Sequence, residues 1–183
     1  MPLATTSIGA IDMEDMEQLG AFKQHDDQLD VRFERYYPRS IERVWSALTN
    51  PVRLGDWMGT ALVEPYVGGR YEVMLDGPHP MTGRILVWEP PHVLEFSWSN
   101  THAPDSIVRY ELTRDGDGSR LIFLHKGMPY ASSALMLPGW HVYFERLGSL
   151  LDGTTPPRSK QSWREMQAIY VDHYKLSGVM LDP

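Results

Sequence analysis

The sequence predicts an α+β fold in which a curved antiparallel sheet closes on one long helix near the C-terminus. Three observations carry this expectation. Short segments of alternating polarity recur between turns from Leu29 to Lys126, as half-buried strands in a meander do. A helical stretch between Ser40 and Gly59 interrupts them directly after the first of these strands. After the last strand, Trp140, Tyr143, Phe144, Leu147, Leu150 and Leu151 recur at three and four, a stripe wide enough to cover a sheet face.

In chain order, Met1–Gln28 is acidic and mixed. Met13, Met16, Glu17, Leu19 and Phe22 fit a short docked helix, and a loosely ordered tail is the alternative. From Leu29 to Tyr37 the residues Leu29, Val31, Phe33 and Arg35 share one face of a strand, with Asp30, Arg32, Glu34 and Tyr36 on the other. Ser40 is a helix N-cap, and Ile41, Val44, Trp45 and Leu48 form one helical face. Asn50-Pro51 ends that helix, because the residue before proline is driven out of the α region. Leu54 and Trp57 share the face of a short second helix.

Thr60–Pro65 reads as a short strand and Gly68-Gly69 as a turn. The next strand aligns Tyr71, Val73 and Leu75, and Gly77–Pro80 is expected to lie outside any strand. Thr82–Trp88 is the following strand, ended by Glu89-Pro90-Pro91. Leu94, Phe96 and Trp98 then share a face, as do Val108, Tyr110 and Leu112, and Leu121, Phe123 and His125. Asp115–Gly118 is a hairpin turn, since glycine and aspartate tolerate positive φ. Gly127–Pro138 is read as a connection and the long helix as starting at Gly139. Gly153 stops it. Thr154–Pro157 is a linker, and Ser159–Leu176 carries a further stripe of Trp163, Met166, Ile169, Tyr170, His173 and Tyr174. A sheet bent around one helix leaves a gap between the two, which is the helix-grip architecture.

The length of 183 residues suits one core, and the net charge of −7 argues against a nucleic-acid binder, which usually needs a basic face. Cysteine is absent, so disulfides, thiolate nucleophiles and Cys-ligated zinc are excluded. The N-terminus lacks a signal-peptide pattern and no run is apolar enough for a bilayer. A cytoplasmic protein without membrane contact is expected.

The motifs RSIERVWSALTNPVRLGDWMG, VGGRYEV, TGRILVWEPPHVLEFSW, DGDGSRLIFLHKGM and GWHVYFERLGSLLDG, in that order, resemble the START-like, or SRPBCC, superfamily. More closely they resemble its branch named after the activator of heat-shock-protein ATPase, the AHSA-like proteins. The resemblance covers Leu29–Gly153. It divides the chain into an N-terminal extension (1–28), a START-like domain (29–153) and a C-terminal extension (154–183) with one helix. Met58 departs from the family, where a second tryptophan or similar residue is common. The resemblance implies a helix-grip fold and roles ranging from small-molecule carrier to polyketide cyclase to co-chaperone. A counterpart of the separate binding domain of the eukaryotic activators is not expected in this chain.

Aromatic bodies with a few polar tips on inward faces point to a pocket for a small apolar or aromatic molecule. The candidates are Trp57, Tyr71, Phe96, Trp98, Tyr110, Phe123, His125, Trp140, Tyr143 and Phe144. Plain core packing is the alternative for each of them. His125 is the titratable candidate, either as a proton carrier in a cyclase- or hydrolase-type enzyme with a pocket tyrosine, or as a hydrogen-bonded core residue. Glu72, Glu95, Arg109 and Glu111 take the outward parity. The histidines lack metal-ligand spacing, and no phosphate loop or nucleophile elbow is present, so no cofactor or metal is expected. Ile122 and Leu124 are apolar on the outward face and call for cover. The last helix could supply it within the chain, or a homodimer could form through that helix or the outer sheet face.

Overall fold

The computed structural model describes residues 18–76, 80–156 and 160–176. It is a helix-grip fold. Six antiparallel strands stand in the order β1 (Ala21–His25), β2 (Gln28–Tyr37), β9 (Gly118–Pro129), β8 (Ser106–Asp115), β7 (Val93–Trp98), β6 (Ile85–Glu89), and a smaller sheet of β3 (Ala61–Val63), β4 (Tyr71–Met74) and β5 (Pro80–Met81) continues from them. The two sheets join through the single bridges Arg70↔Arg84 and Thr82↔Ser99.

Strand β1 (Ala21–His25) is mostly exposed and pairs with β2 (Gln28–Tyr37). Phe22 therefore lies in a strand, not in the short helix considered for Met13–Phe22, whose first residues fall outside the described ones. Along β2, Leu29, Val31, Phe33, Arg35 and Tyr37 are buried at every second position. The strand pairs with β9 (Gly118–Pro129), so the long strand that precedes the central helices closes against the last one.

Helix α1 (Ile41–Thr49) starts at Ser40, whose Oγ accepts from Arg43 N at 3.4 Å. Asn50 ends α1 and begins α2 (Pro51–Trp57), with its Oδ1 accepting from Val52 N at 2.9 Å. Proline at the first helical position loses no bond, since that N–H has no partner in a helix. Ile41, Val44, Trp45, Ala47 and Leu48 face the core.

Strands β3 (Ala61–Val63), β4 (Tyr71–Met74) and β5 (Pro80–Met81) form the small sheet. Pro80 opens β5 opposite Met74, a correction to the expectation that it lies outside any strand. The first residue of an edge strand is one of the few places where proline's missing donor is tolerated. Strands β6 (Ile85–Glu89), β7 (Val93–Trp98), β8 (Ser106–Asp115) and β9 make the expected meander. Gly116, with φ at 54°, turns the β8–β9 hairpin.

The outer face of the sheet is laced with ion pairs. Arg109 bonds Glu95 at 3.0 Å and Glu111 at 2.6 Å, and Arg120 holds Glu34 and Asp115. Ile122 and Leu124 lie half-buried between these charged neighbours, Ile122 opposite Glu34 and Glu111, Leu124 opposite Arg32 and Arg109. Arginine stems shield apolar surface while their heads stay in water.

Helix α3 runs from Ser133 to Asp152 and contains Pro138. It begins six residues before Gly139, a second correction. Proline inside a helix orphans the carbonyl four residues back. Here that carbonyl is Ala134 O, and Gln167 Nε2 donates to it at 3.0 Å. The donor comes from α4 (Lys160–Tyr174), which packs along α3 and not on the outer sheet face. Gly153 ends α3 in the left-handed region at φ 77°, and Gly153 N and Thr154 N bond Leu150 O and Ser149 O.

Helix α4 also clamps the start of β1. Gly20 N donates to Tyr170 Oη at 2.7 Å, and Tyr174 Oη donates to Gly20 O at 2.8 Å. A Cβ on Gly20 would come within 2.2–2.6 Å of the Phe33 ring, so the chain can lie on that ring only as glycine.

Candidate functional site

The inward faces of β4, β7, β8 and β9 meet α2 and α3 in one continuous aromatic cluster. Tyr71 stacks on Phe96 with centroids 4.0 Å apart. Phe96 adjoins Tyr110, Tyr110 adjoins Phe123, and Phe123 adjoins Trp140 at 4.3 Å and Phe144 at 5.1 Å. Trp98 packs on His125 and Trp140, and Tyr143 links Trp140 to Trp57. The structure thus brings all the sequence candidates together. Tyr143 is half-buried and the others are buried. Offset and edge contacts at such spacings are favourable beyond the area they bury.

Most polar tips in this cluster are satisfied from nearby. Trp57 Nε1 donates to Ala47 O at 2.9 Å, and Tyr71 Oη to Leu48 O at 2.8 Å. At the rim, Tyr143 Oη accepts from Asp76 N at 3.3 Å, and Arg146 holds Asp76 at 2.5 Å while lying over the Tyr143 ring. The segment after β4 is thereby tied to α3.

His125 is held at both nitrogens. Trp140 Nε1 donates to its Nδ1 at 3.0 Å, and its Nε2 lies 2.8 Å from Ser106 Oγ. An indole N–H can only donate, so Nδ1 is the acceptor and Nε2 carries the proton. Ser106 Oγ accepts a hydrogen bond from that N–H and points its own proton towards Trp98 O at 3.2 Å or Ala103 O at 3.3 Å. Burial lowers the imidazole to about 3, so it is neutral near pH 7. Its basic lone pair is already engaged. The arrangement makes His125 a structural node, the hydrogen-bonded core histidine of the two readings, with no free lone pair for proton transfer.

Among the described residues, three buried side-chain polar atoms have no hydrogen-bond partner: Trp98 Nε1, Tyr110 Oη and Arg35 Nη2. Burial raises the Tyr110 hydroxyl well above its ordinary value, so it stays a protonated donor. An indole N–H and a guanidinium N–H are donors only. The interior therefore holds unmatched donors, and leaving such groups unmet is costly in a folded chain.

Arg35 was not among the sequence candidates, although its parity in β2 already placed it inward. Its guanidinium lies 5.3 Å from the Phe33 centroid and 5.7 Å from that of Phe144, which belongs to the aromatic cluster. Burial lowers its pKa. Ser106 was also missed, because nothing in a single serine at a strand start marks it as the partner of a histidine. Among the described residues, no three His, Asp or Glu side chains are grouped to hold a metal ion, and no helix is long and apolar enough to cross a membrane.

Comparison with known proteins extends this picture. A family profile described as Activator of Hsp90 ATPase homolog 1-like protein matches residues 38–152. No curated protein matches the chain. Among solved structures, CalU16 from Micromonospora echinospora is 27% identical with a TM-score of 0.70, over 86% of this chain and 96% of that one. Protein MLL2253 from Mesorhizobium loti is 29% identical with a TM-score of 0.61, over 68% of this chain and 98% of its own. DynU16, a protein in the dynemicin biosynthetic locus, is 24% identical with a TM-score of 0.64, over 73% of this chain and 51% of its own, and shares the fold.

Proposed function

This chain belongs to the Activator of Hsp90 ATPase homolog 1-like family, and from that premise we propose that it binds a small apolar or aromatic molecule between the sheet and α3. The superfamily's fold is in general a small-ligand-binding fold. The observation that carries the reading is the pair of unmatched donors, Trp98 Nε1 and Tyr110 Oη, inside an otherwise satisfied aromatic cluster. A guest with a largely apolar body and a carbonyl, ether or phenolic oxygen would meet one of those donors while stacking on the rings. Apolar walls with a few placed polar groups are the usual make-up of such sites. On this reading residues 29–153 hold the ligand, and 1–28 and 154–183 are extensions around that unit. The engagement of both His125 nitrogens favours binding over proton-transfer chemistry at that residue.

Native mass spectrometry of the purified protein, followed by thermal-shift screening of apolar carbonyl compounds, tests the proposal. A co-purified molecule, or a rise in Tm that Tyr110→Phe or Trp98→Phe diminishes, supports it. A panel that never moves Tm, together with the bare chain mass, removes it.

A further inference from the structure

Arg35 is a cation at an unusual address. It projects from the inward face of β2 with Val31, Phe33 and Tyr37, and is 9% exposed. Its Nη1 donates to the carbonyl of its own neighbour, Glu34 O, at 2.9 Å. Its Nη2 is buried with no partner. No carboxylate pairs with it among the described residues. The carboxylate whose field reaches it, Glu145, is half-exposed and lies 3.5 Å from His141 Nε2. A buried guanidinium without a carboxylate is expensive and is normally paired. The ring beneath it, Phe144, touches Phe123 and Trp140 of the aromatic cluster.

We propose that Arg35 is an anion subsite of the interior, and that the ligand class is an apolar acid: one carboxylate on an aromatic or aliphatic body. The carboxylate takes Arg35 Nη2, the one donor of the three that carries charge. The body extends over Phe144 and Phe123 towards Tyr110. The cation-favouring faces of Phe33 and Phe144 hold the guanidinium in place for this role. A planar fork also suits a carboxylate better than an ammonium would. This inference rests on the ligand-binding reading and sharpens it from any apolar molecule to an acidic one.

Calorimetric titration with two matched pairs tests it: 2-naphthoate against 2-naphthylmethanol, and decanoate against decanol. The full chain is used as wild type, Arg35→Met and Arg35→Gln. In the wild type at least one acid binds about tenfold or more tighter than its alcohol, the scale of a charge-assisted hydrogen bond. In Arg35→Met that preference disappears, and the acid binds no tighter than its alcohol. Equal binding of acid and alcohol in the wild type, or an acid preference that survives Arg35→Met, overturns the subsite and leaves the ligand reading standing. If none of the four binds at millimolar concentration, the subsite falls, and the native mass and thermal-shift panel decide the ligand reading. If Arg35→Met does not fold, Arg35→Gln carries the comparison. If neither folds, the guanidinium is a structural group and the proposal is overturned.

Discussion

Helix α3 has two buried faces, and they treat polar groups in opposite ways. On the face towards α4, the buried polar tips among the described residues have found partners. Gln167 caps the carbonyl freed by Pro138, Tyr170 accepts from Gly20 N, and His141 Nδ1 lies 3.1 Å from Tyr170 Oη. Since Tyr170 Oη already accepts, its proton is free for His141. On the face towards the sheet, His125 is fully engaged, yet Trp98, Tyr110 and Arg35 keep unmatched donors. A satisfied polar seam fixes one arrangement of two elements. Unmatched buried donors do not help folding, so their retention has to be explained by something else. On the proposed reading, the first face serves structure and the second serves the ligand.

The largest expected effect tests the paired His125 node on the sheet side. Burial holds His125 at about 3 in the folded chain against an ordinary 6.5. Below pH 6.5 the unfolded chain takes up a proton that the native site refuses. Stability is therefore lost as pH falls from 6.5 towards 3, and the loss then levels off, approaching roughly 5 kcal/mol in the limit. Urea unfolding of wild type and His125→Gln at pH 7, 5 and 4 reads this. The advantage of the wild type shrinks with acid, and an advantage that is constant across pH contradicts the burial assignment.

Removing a hydroxyl on each side of α3 gives the sharpest contrast. Tyr170→Phe strips the acceptor of Gly20 N and the donor to His141, and is expected to destabilise by about 2 kcal/mol. Tyr110→Phe removes an unpartnered hydroxyl, so stability is unchanged or rises by up to about 1 kcal/mol. Equal losses in the two variants would erase the distinction between the faces.

Next in size is the proline repair. Gln167→Leu leaves Ala134 O buried and unmet, at about 1–2 kcal/mol. In a Pro138→Ala background the helix supplies its own N–H to that carbonyl, and the same Gln167 substitution becomes nearly neutral. A double-mutant cycle in chemical denaturation measures the coupling. An effect of Gln167→Leu that does not change with residue 138 would show that the side chain matters through packing alone.

Much of this was legible in the chain itself. The parity of Leu94-Phe96-Trp98, Val108-Tyr110-Leu112 and Leu121-Phe123-His125 identified the inward faces, and each of these residues is buried. Ser40, Asn50, Gly116 and Gly153 announced their turns and caps by residue type. Strand β1 was not legible, because its residues are mostly exposed and do not alternate. The start of α3 was hidden for another reason. Pro138 reads locally as a helix breaker, and the side chain that repairs the break, Gln167, meets Ala134 O across 33 positions.

Alternation and capping act between neighbours, so the sequence alone determined the elements, their inward faces and hence the membership of the aromatic cluster. Which buried polar atoms are matched was decided only in three dimensions. Gly20 meets Tyr170 across 150 positions and Ser106 meets His125 across 19. A hydrogen bond needs its atoms within about 3 Å and well aligned. Composition and spacing do not specify that geometry, and so the unmatched donors of Trp98, Tyr110 and Arg35 emerge only from the packed structure.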